Sequence, residues 1–424
     1  MASITKRKND YLICASNGRD GAGKQIREYT TWQPDPDKTD KQNEKDLQLF
    51  ALEFERKVKA RENMDGGKIT YADFARMWLD NYIAPKSSET TYETYQGFLE
   101  NIVLPQIGKL KLKNIKSLHV QRIYNNMRDN GYERNGKYYP YAGSSIKRVH
   151  EMLRSSFNTA ITWHMIDSNP CDGVAWGKPE RRKMVKCFTL EQTKIFLDLL
   201  DKPYKVVYRG RQHKDGTRSA ERIEIHTIAY QQQVLLRLTL FTSARRGEVL
   251  SLKWQDIDMD SDTVDINKST ARTKKSKQHI KETKSETSDR LVSIPDMMIP
   301  FLQKLKQKQE NIRQVMGDEW NPEGYLFTQA NGKQMDIGTP NKTMRELIRR
   351  YNDTCTDEKD KLPEINLHGL RHTGATLLIS ENTDIKTVQA VLGHADISTT
   401  MNIYAHSLQS KQQKAASVLG DLLS

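Results

Sequence analysis

Three stretches of the chain differ in how their apolar positions recur. Between Tyr11 and Ala15, and again from Gln25 to Trp32, apolar and polar residues alternate as on a half-buried strand, with Gly18, Gly21 and Gly23 between the runs. This predicts a β-hairpin or a three-stranded sheet. From Thr39 to about Asn63, Leu47, Phe50, Leu52, Phe54 and Val58 stand amid dense charge, which predicts one amphipathic helix packed on that sheet. Met64-Asp65-Gly66-Gly67-Lys68 then reads as a linker. From about 69 to 178 the spacing is helical, through Phe74, Trp78 and Leu79, then Tyr92, Tyr95, Phe98 and Leu99, then Leu118–Met127, then Ile146–Trp163. Four or five helices fit that stretch.

Asn169-Pro170, Gly173 and the basic run Gly177-Lys178-Pro179-Glu180-Arg181-Arg182-Lys183 mark a second boundary. The part from 180 to 424 opens on a capping box, Thr189-Leu190-Glu191-Gln192, and is mixed in pattern. Within it, Val206-Val207-Tyr208 and Ile223-Glu224-Ile225 flank His213-Lys214-Asp215-Gly216, so 204–226 reads as an inserted β-hairpin. The expected fold class is α+β and multi-domain: a small β-sheet-plus-helix module over 1–63, an all-α domain over 69–178, and a mostly α domain with a small β-sheet over 180–424.

Charge narrows the function classes. Lys and Arg number 67 against 54 Asp and Glu, a formal charge of +13 in 424 residues. That balance favours a polyanionic partner, with nucleic acid ahead of an anionic membrane surface. No run approaches the roughly 20 apolar residues of a membrane span, and the polar, basic start lacks the apolar core of a signal peptide. A soluble, cytoplasmic protein is expected. Cys14, Cys171, Cys187 and Cys355 lie far apart without CxxC spacing, so neither a disulfide framework nor a zinc site is indicated.

The candidate chemistry lies in the last part. Leu367-His368-Gly369-Leu370-Arg371-His372-Thr373 puts His368 and Arg371 three apart on one helical face. Leu392-Gly393-His394 follows, and ten residues later stands Tyr404 in Met401-Asn402-Ile403-Tyr404-Ala405-His406. Upstream, Phe241-Thr242-Ser243-Ala244-Arg245-Arg246-Gly247-Glu248 is a basic turn running into a helix.

In this order and spacing the chain resembles the tyrosine recombinase (phage integrase) family, in particular the integrases of conjugative transposons and Gram-positive phages. The resemblance implies six catalytic positions: Arg245 in the turn, Lys284 on a β-hairpin (Thr283-Lys284, with Ser288, Arg290, Val292 and Ile294-Pro295 after it), His368 and Arg371 in the His-x-x-Arg box, His394 after Leu-Gly, and Tyr404 as nucleophile. Glu248 matches an acidic residue beside the first arginine and would orient the basic groups. Ser243 stands where the family usually has Gly, which asks less freedom of the turn. The resemblance makes 180–424 the catalytic domain, 69–178 a helical, SAM-like core-binding domain, and 1–63 an arm-type DNA-binding module, in which Arg7, Lys8, Arg19, Lys24 and Arg27 are candidate DNA contacts. It implies double-stranded DNA attachment sites as partners, a homotetramer on DNA through the carboxy-terminal tail, an excisionase or host DNA-bending protein as auxiliary, a nucleoid-associated bacterial setting, and no cofactor, metal or ATP.

Each role has a physical reason. Attack of a phenol on a phosphodiester builds negative charge on the non-bridging oxygens, which two guanidiniums can hold bidentately. Arg245 and Arg371 would form that clamp in place of a metal. A tyrosine with an ordinary pKa near 10 needs a base, and His368 is the candidate. Lys284 would protonate the departing 5′-oxygen. His394 would hydrogen-bond the phosphate.

Plainer readings stand beside these. Arg246 is a phosphate-contacting or solvated residue, His372 a structural neighbour, and His406 a surface residue. The lysine-rich stretch 268–281 is a solvated loop or a DNA backbone contact, and Trp254 and Ile257 are core on a helix face. Tyr351 is the next tyrosine should Tyr404 not be the nucleophile. Two other classes share the chemistry or the partner: a type IB topoisomerase, and an architectural DNA-binding protein with vestigial residues. The complete residue set argues against the latter. The tail's apolar Ala415, Ala416, Val418, Leu419, Leu422 and Leu423, which call for a partner, argue against the former.

Overall fold

A computed structural model of the chain describes residues 2–8, 10–19, 25–63, 67–177, 186–208, 220–282 and 289–393. The chain divides into two compact units, Met1–Arg182 and Lys183–Ser424.

The first unit begins with an antiparallel sheet in the order β1 (Ser3–Lys6), β2 (Tyr11–Arg19), β3 (Gln25–Trp32). The period-two pattern does what it should: Ile13 and Ala15 are buried, and Tyr11 packs beside them. Helix α1 (Asp40–Asn63) lies on that face through Leu47 and Ala51, with Phe50 and Phe54 alongside. Leu52, expected on the same stripe, is instead exposed.

A second apolar cluster in this unit belongs to α2 (Tyr71–Trp78), α3 (Glu89–Phe98), α4 (Leu104–Ile107), α5 (Ser117–Asp129) and α6 (Gly143–Thr162). Its largest side chains keep their polar ends paired: Trp78 Nε1 donates to Thr159 Oγ1 at 3.1 Å, and the Tyr71 and Ser156 hydroxyls are 3.1 Å apart. The all-α expectation misses one element here. β4 (Tyr132–Arg134) and β5 (Lys137–Tyr139) form a hairpin between α5 and α6, turned by Asn135 and Gly136 at φ 53° and 73°. The Asn-Gly signal for a two-residue hairpin was in the sequence.

The second unit starts with α7 (Leu190–Asp201), capped as its sequence implies: Thr189 Oγ1 accepts from Gln192 N and Gln192 Oε1 from Thr189 N. The expected inserted hairpin is present as β6 (Tyr204–Tyr208) paired with β7 (Arg222–His226). Helix α8 (Tyr230–Thr242) is buried almost all round and forms the axis of the core. After α9 (Arg246–Ser251) and a 3-10 turn at Trp254–Asp256 come β8 (Ile257–Asp258), β9 (Thr263–Ile266), β10 (Lys268–Thr273), β11 (Lys277–Glu282) and β12 (Arg290–Ser293). They make a sheet in the order β12-β9-β8 and a separate β10–β11 hairpin. Helices α10 (Ile299–Met316), α11 (Thr339–Thr354), α12 (Leu367–Ser380) and α13 (Ile385–Leu392) complete the described part of the unit.

Trp254 and Ile257 do belong to the core, but on the 3-10 turn and at the start of β8 rather than on one helix face. The lysine-rich stretch 268–281 is not a loop. Thr270 and Thr273 are buried, and Gln334 Nε2 donates to Thr270 Oγ1 at 2.6 Å. Gly247 explains how close this hairpin comes: a Cβ there would lie 2.5 Å from Ser269 Oγ and 2.6 Å from Thr270 O, so α9 and β10 touch backbone to backbone. Among the described residues no helix is long and apolar enough to cross a membrane.

Candidate active site

Helix α8 ends because Ser243 turns left-handed, at φ 49° and ψ 28°. The turn therefore demands the conformation that glycine adopts freely, and Ser243 meets that demand under strain rather than relaxing it. The reversal aims the Ser243 carbonyl inward and starts α9 with Arg245 as its N-cap. One turn on, Glu248 is 2% exposed, and its carboxylate reaches back: Oε2 accepts from Arg245 N at 2.8 Å, and Oε1 from Arg245 Nη1 at 2.6 Å.

The second part of the site comes from α12. Asn366 caps the helix, its Oδ1 accepting from His368 N and Gly369 N at 3.0 and 3.1 Å. His368 thus sits in the first turn with its ring partly sheltered, while Arg371 on the same helix is fully buried. Gly374 allows this burial. A Cβ there would lie 2.4 Å from Leu240 O and 2.6 Å from Ser243 Oγ, so α12 lies directly against the end of α8. Arg371 Nη1 then donates to Ser243 O at 2.8 Å.

The two arginines meet at the end of α13. Arg371 Nη2 donates to Leu392 O at 2.7 Å, and Arg245 Nη2 to Gly393 O at 3.1 Å. A third guanidinium, from Arg290 on β12, donates through Nε to Val391 O at 2.7 Å and through Nη2 to Glu248 Oε2 at 3.0 Å. Glu248 also lies 3.9 Å from Arg371 Nη1. Burial alone would push the Glu248 carboxyl up; the charge and hydrogen bond of Arg290, then Arg245, outweigh it and hold the group below the usual carboxylate range. Three guanidiniums thus converge on the Glu248 carboxylate, a concentration of positive charge suited to an anion with developing charge.

Burial, then the charges of Arg371 and Arg245, lower the His368 pKa, so its imidazole is neutral near pH 7 and able to accept a proton. Its ring stands edge-on to that of His372, 4.3 Å between centroids, and His372 is buried as expected of a structural neighbour. Beside His368 opens a cavity of about 340 Å³ lined in part by Lys186, Arg345, Glu364 and Asn366.

The structure thus brings together Arg245, Glu248, His368 and Arg371. Lys284, His394 and Tyr404 lie outside the described residues, as do His406 and the tail; the strand β11 ends two residues before Lys284, and Gly393, immediately before His394, closes α13 left-handed at φ 60°. Arg246 is exposed at the start of α9. Tyr351 is a poor alternative nucleophile: burial, then the nearby Cys355, raises its pKa, and its ring packs on the main core. In the amino-terminal sheet Arg7, Lys8 and Arg27 are exposed, Arg27 donating to Gln25 Oε1 at 3.0 Å; Arg19 is a β2 residue whose side chain is not described, and Lys24 lies outside the described residues. Sequence reasoning missed Arg290 as a member of the site. Its presence in the segment after Lys284 was visible, but nothing local marks it as the partner of Glu248. Among the described residues no group of three or more His, Cys, Asp or Glu stands together to hold a metal ion.

Comparison with known proteins gives concordant matches. The profile described as phage integrase family matches residues 217–411, and that of the phage integrase N-terminal SAM-like domain matches 70–128. A protein named tyrosine recombinase XerC-like, from Caldanaerobacter subterraneus subsp. tengcongensis, is 26% identical over 436 residues, spanning 99% of this chain and 98% of its own. The ICEBs1 integrase of Bacillus subtilis is 28% identical over 282 residues, 66% of this chain and 67% of its own. Among solved structures, the Tn1549 transposon integrase in complex with a circular intermediate DNA shares the fold with a TM-score of 0.62 at 17% identity, over 82% of this chain and 99% of that one.

Proposed function

The chain belongs to the phage integrase family of tyrosine recombinases, and on that footing we propose that it is the integrase of a mobile genetic element, cutting and rejoining DNA at specific sites for integration and excision. The observation that carries the reading is the convergence of Arg245 and Arg371 on one buried carboxylate at the end of α13, with the neutral His368 open beside them.

In this scheme the Tyr404 hydroxyl attacks the scissile phosphorus and gives its proton to His368, while Arg245 and Arg371 hold the non-bridging oxygens and His394 hydrogen-bonds the phosphate. The bond to the 5′-oxygen breaks as Lys284 protonates it. Arg371, fully buried here, gains access to the phosphate when DNA binds. The 3′-phosphotyrosyl bond conserves the energy of the broken one, so a 5′-hydroxyl from a second duplex reverses the step without metal or ATP and leads through a Holliday junction. Residues 69–178 and 180–424 act as core-binding and catalytic domains on the core site, and 1–63 as the arm-binding module. Four copies assemble on DNA through the tail, helped by an excisionase or host DNA-bending protein, in the bacterial cytoplasm at the nucleoid.

The test is covalent capture on a library of nicked suicide duplexes tiling the ends of the element that carries the gene. Wild-type protein should become attached to a 3′-phosphate, in excess EDTA as well as without it, and Tyr404→Phe should bind the same duplexes without attaching. Attachment by the Phe variant would move the nucleophile elsewhere. No attachment by wild type to any duplex would overturn the function.

A further inference from the structure

We propose that Arg290 is a positioning residue of the cleavage site, tying the Glu248 carboxylate to the end of α13 so that it does not compete with the scissile phosphate for the Arg371 guanidinium. The proposal rests on the recombinase reading above.

The carbonyls of Val391, Leu392 and Gly393 each accept from a different guanidinium, those of Arg290, Arg371 and Arg245 at 2.7, 2.7 and 3.1 Å. The donors come from β12, α12 and the turn before α9, so one short piece of backbone sets the relative positions of all three. Two of them have work to do on a phosphate. Arg290 is placed differently: its side chain is 7% exposed, and it donates to Val391 O and to Glu248 Oε2. Gly393 leaves room for it, since a Cβ there would fall 2.8 Å from Arg290 Nη1 and 3.2 Å from its Cδ.

Glu248 shows what this arrangement does. Its Oε2 is held at 3.0 Å by Arg290 Nη2 and at 2.8 Å by Arg245 N but stands 3.9 Å from Arg371 Nη1, beyond hydrogen-bond range. A carboxylate is the geometric equal of a phosphate as a partner for guanidinium. Without Arg290, Glu248 stays tethered to Arg245, but the buried guanidinium left for Oε2 is that of Arg371, and the carboxylate turns toward it. The clamp would then be occupied by an internal anion, or displaced by about the 1 Å that costs a catalytic site roughly a hundredfold in rate. Deleting Arg290 alone also leaves a buried carboxylate short of a partner and lowers stability, so the rate has to be read beside the melting temperature.

The test compares full-length Arg290→Met, Glu248→Gln and the double variant on a suicide duplex captured by the wild type, with melting temperature and gel-shift affinity recorded for each. Arg290→Met should bind DNA with unchanged affinity and form adduct about ten to a hundred times more slowly. Glu248→Gln should slow the wild type yet speed Arg290→Met, because a neutral amide competes less for Arg371; this reversal of sign is something a merely structural role would not produce. Additive losses in the double variant, or a wild-type rate for Arg290→Met, would overturn the proposal. Should the Met variant not fold, Arg290→Lys carries the test: it keeps the charge but cannot span both acceptors, so an intermediate rate restored by Glu248→Gln is expected, and a wild-type rate refutes. Failure of the wild type itself to form adduct would instead count against the recombinase reading.

Discussion

Glu248→Ala removes the carboxylate that three guanidiniums share, two of them nearly or wholly out of water: Arg290 is 7% exposed and Arg371 0%. What is left is a cluster of like charge in a buried place without the carboxylate it shared, and breaking a buried pair by deleting one partner costs about 3–5 kcal/mol. In a unit of this size each 1 kcal/mol shifts Tm by about 2–4 °C, so calorimetry at pH 7 should show a fall of about 6–20 °C. Glu248→Gln keeps an acceptor for Arg245 N and should fall less. Because an anion can replace the missing carboxylate, sulfate should raise the Tm of the Ala variant more than that of the wild type, beyond its general stabilising effect. The pH dependence has a definite sign. The Glu248 carboxyl is held below its ordinary 4.5, so its contribution is fully present above about pH 4.5 and is lost as pH falls through the depressed value. The gap between wild type and Ala variant should therefore persist at neutral pH and close only well into acid. A fall of less than about 1 kcal/mol, or an equal response to sulfate, would mean that the backbone carbonyls already satisfy these arginines and that the carboxylate does not organise them.

Three further outcomes are expected. Ser243→Gly relieves a left-handed φ of 49° and removes a buried hydroxyl without a hydrogen-bond partner among the described residues, so it should raise stability by about 1 kcal/mol; a loss in denaturant titration would contradict the strain. Since burial and the two arginines hold His368 below its ordinary 6.5, the acid limb of the second-order rate of adduct formation should begin only below about pH 6.5, and a rate already falling with acid above pH 7 would exclude His368 as the base. A chain starting at Lys68 should still form adduct on core-site DNA but fail to recombine full attachment sites. The fragment 1–63 should bind duplex with log affinity falling about 0.9 per contacted phosphate per log unit of salt, and salt-insensitive or absent binding would make it a protein-interaction module instead.

Much of this was written locally. Period-two alternation placed Tyr11, Ile13 and Ala15 on one sheet face, the Thr189–Gln192 box started α7, and the flanking strands of the inserted hairpin declared themselves by composition. The spacing of Arg245 and Glu248 in one turn, and of His368 and Arg371 in another, brought the right residue types forward because a helix repeats within a few residues. Leu52 shows the limit of such patterns: it is apolar, yet it is Ala51, one residue away, that faces the sheet.

The tertiary structure decided what joins those turns. Arg290 and Val391 are 101 residues apart, Arg371 and Ser243 128, and Arg245 and Gly393 148. Each bond runs from a side chain to a backbone carbonyl, and every residue has a carbonyl, so the acceptor leaves no trace in the sequence. The same holds for Gly247 and Gly374, whose missing side chains matter only because β10 and the end of α8 come to lie against them. The sequence by itself therefore determined which groups could do the chemistry, through local periodicity and residue type. Which of them share a carboxylate, which are sealed from water, and which direct the others depended on contacts between distant segments, which form only when the core closes.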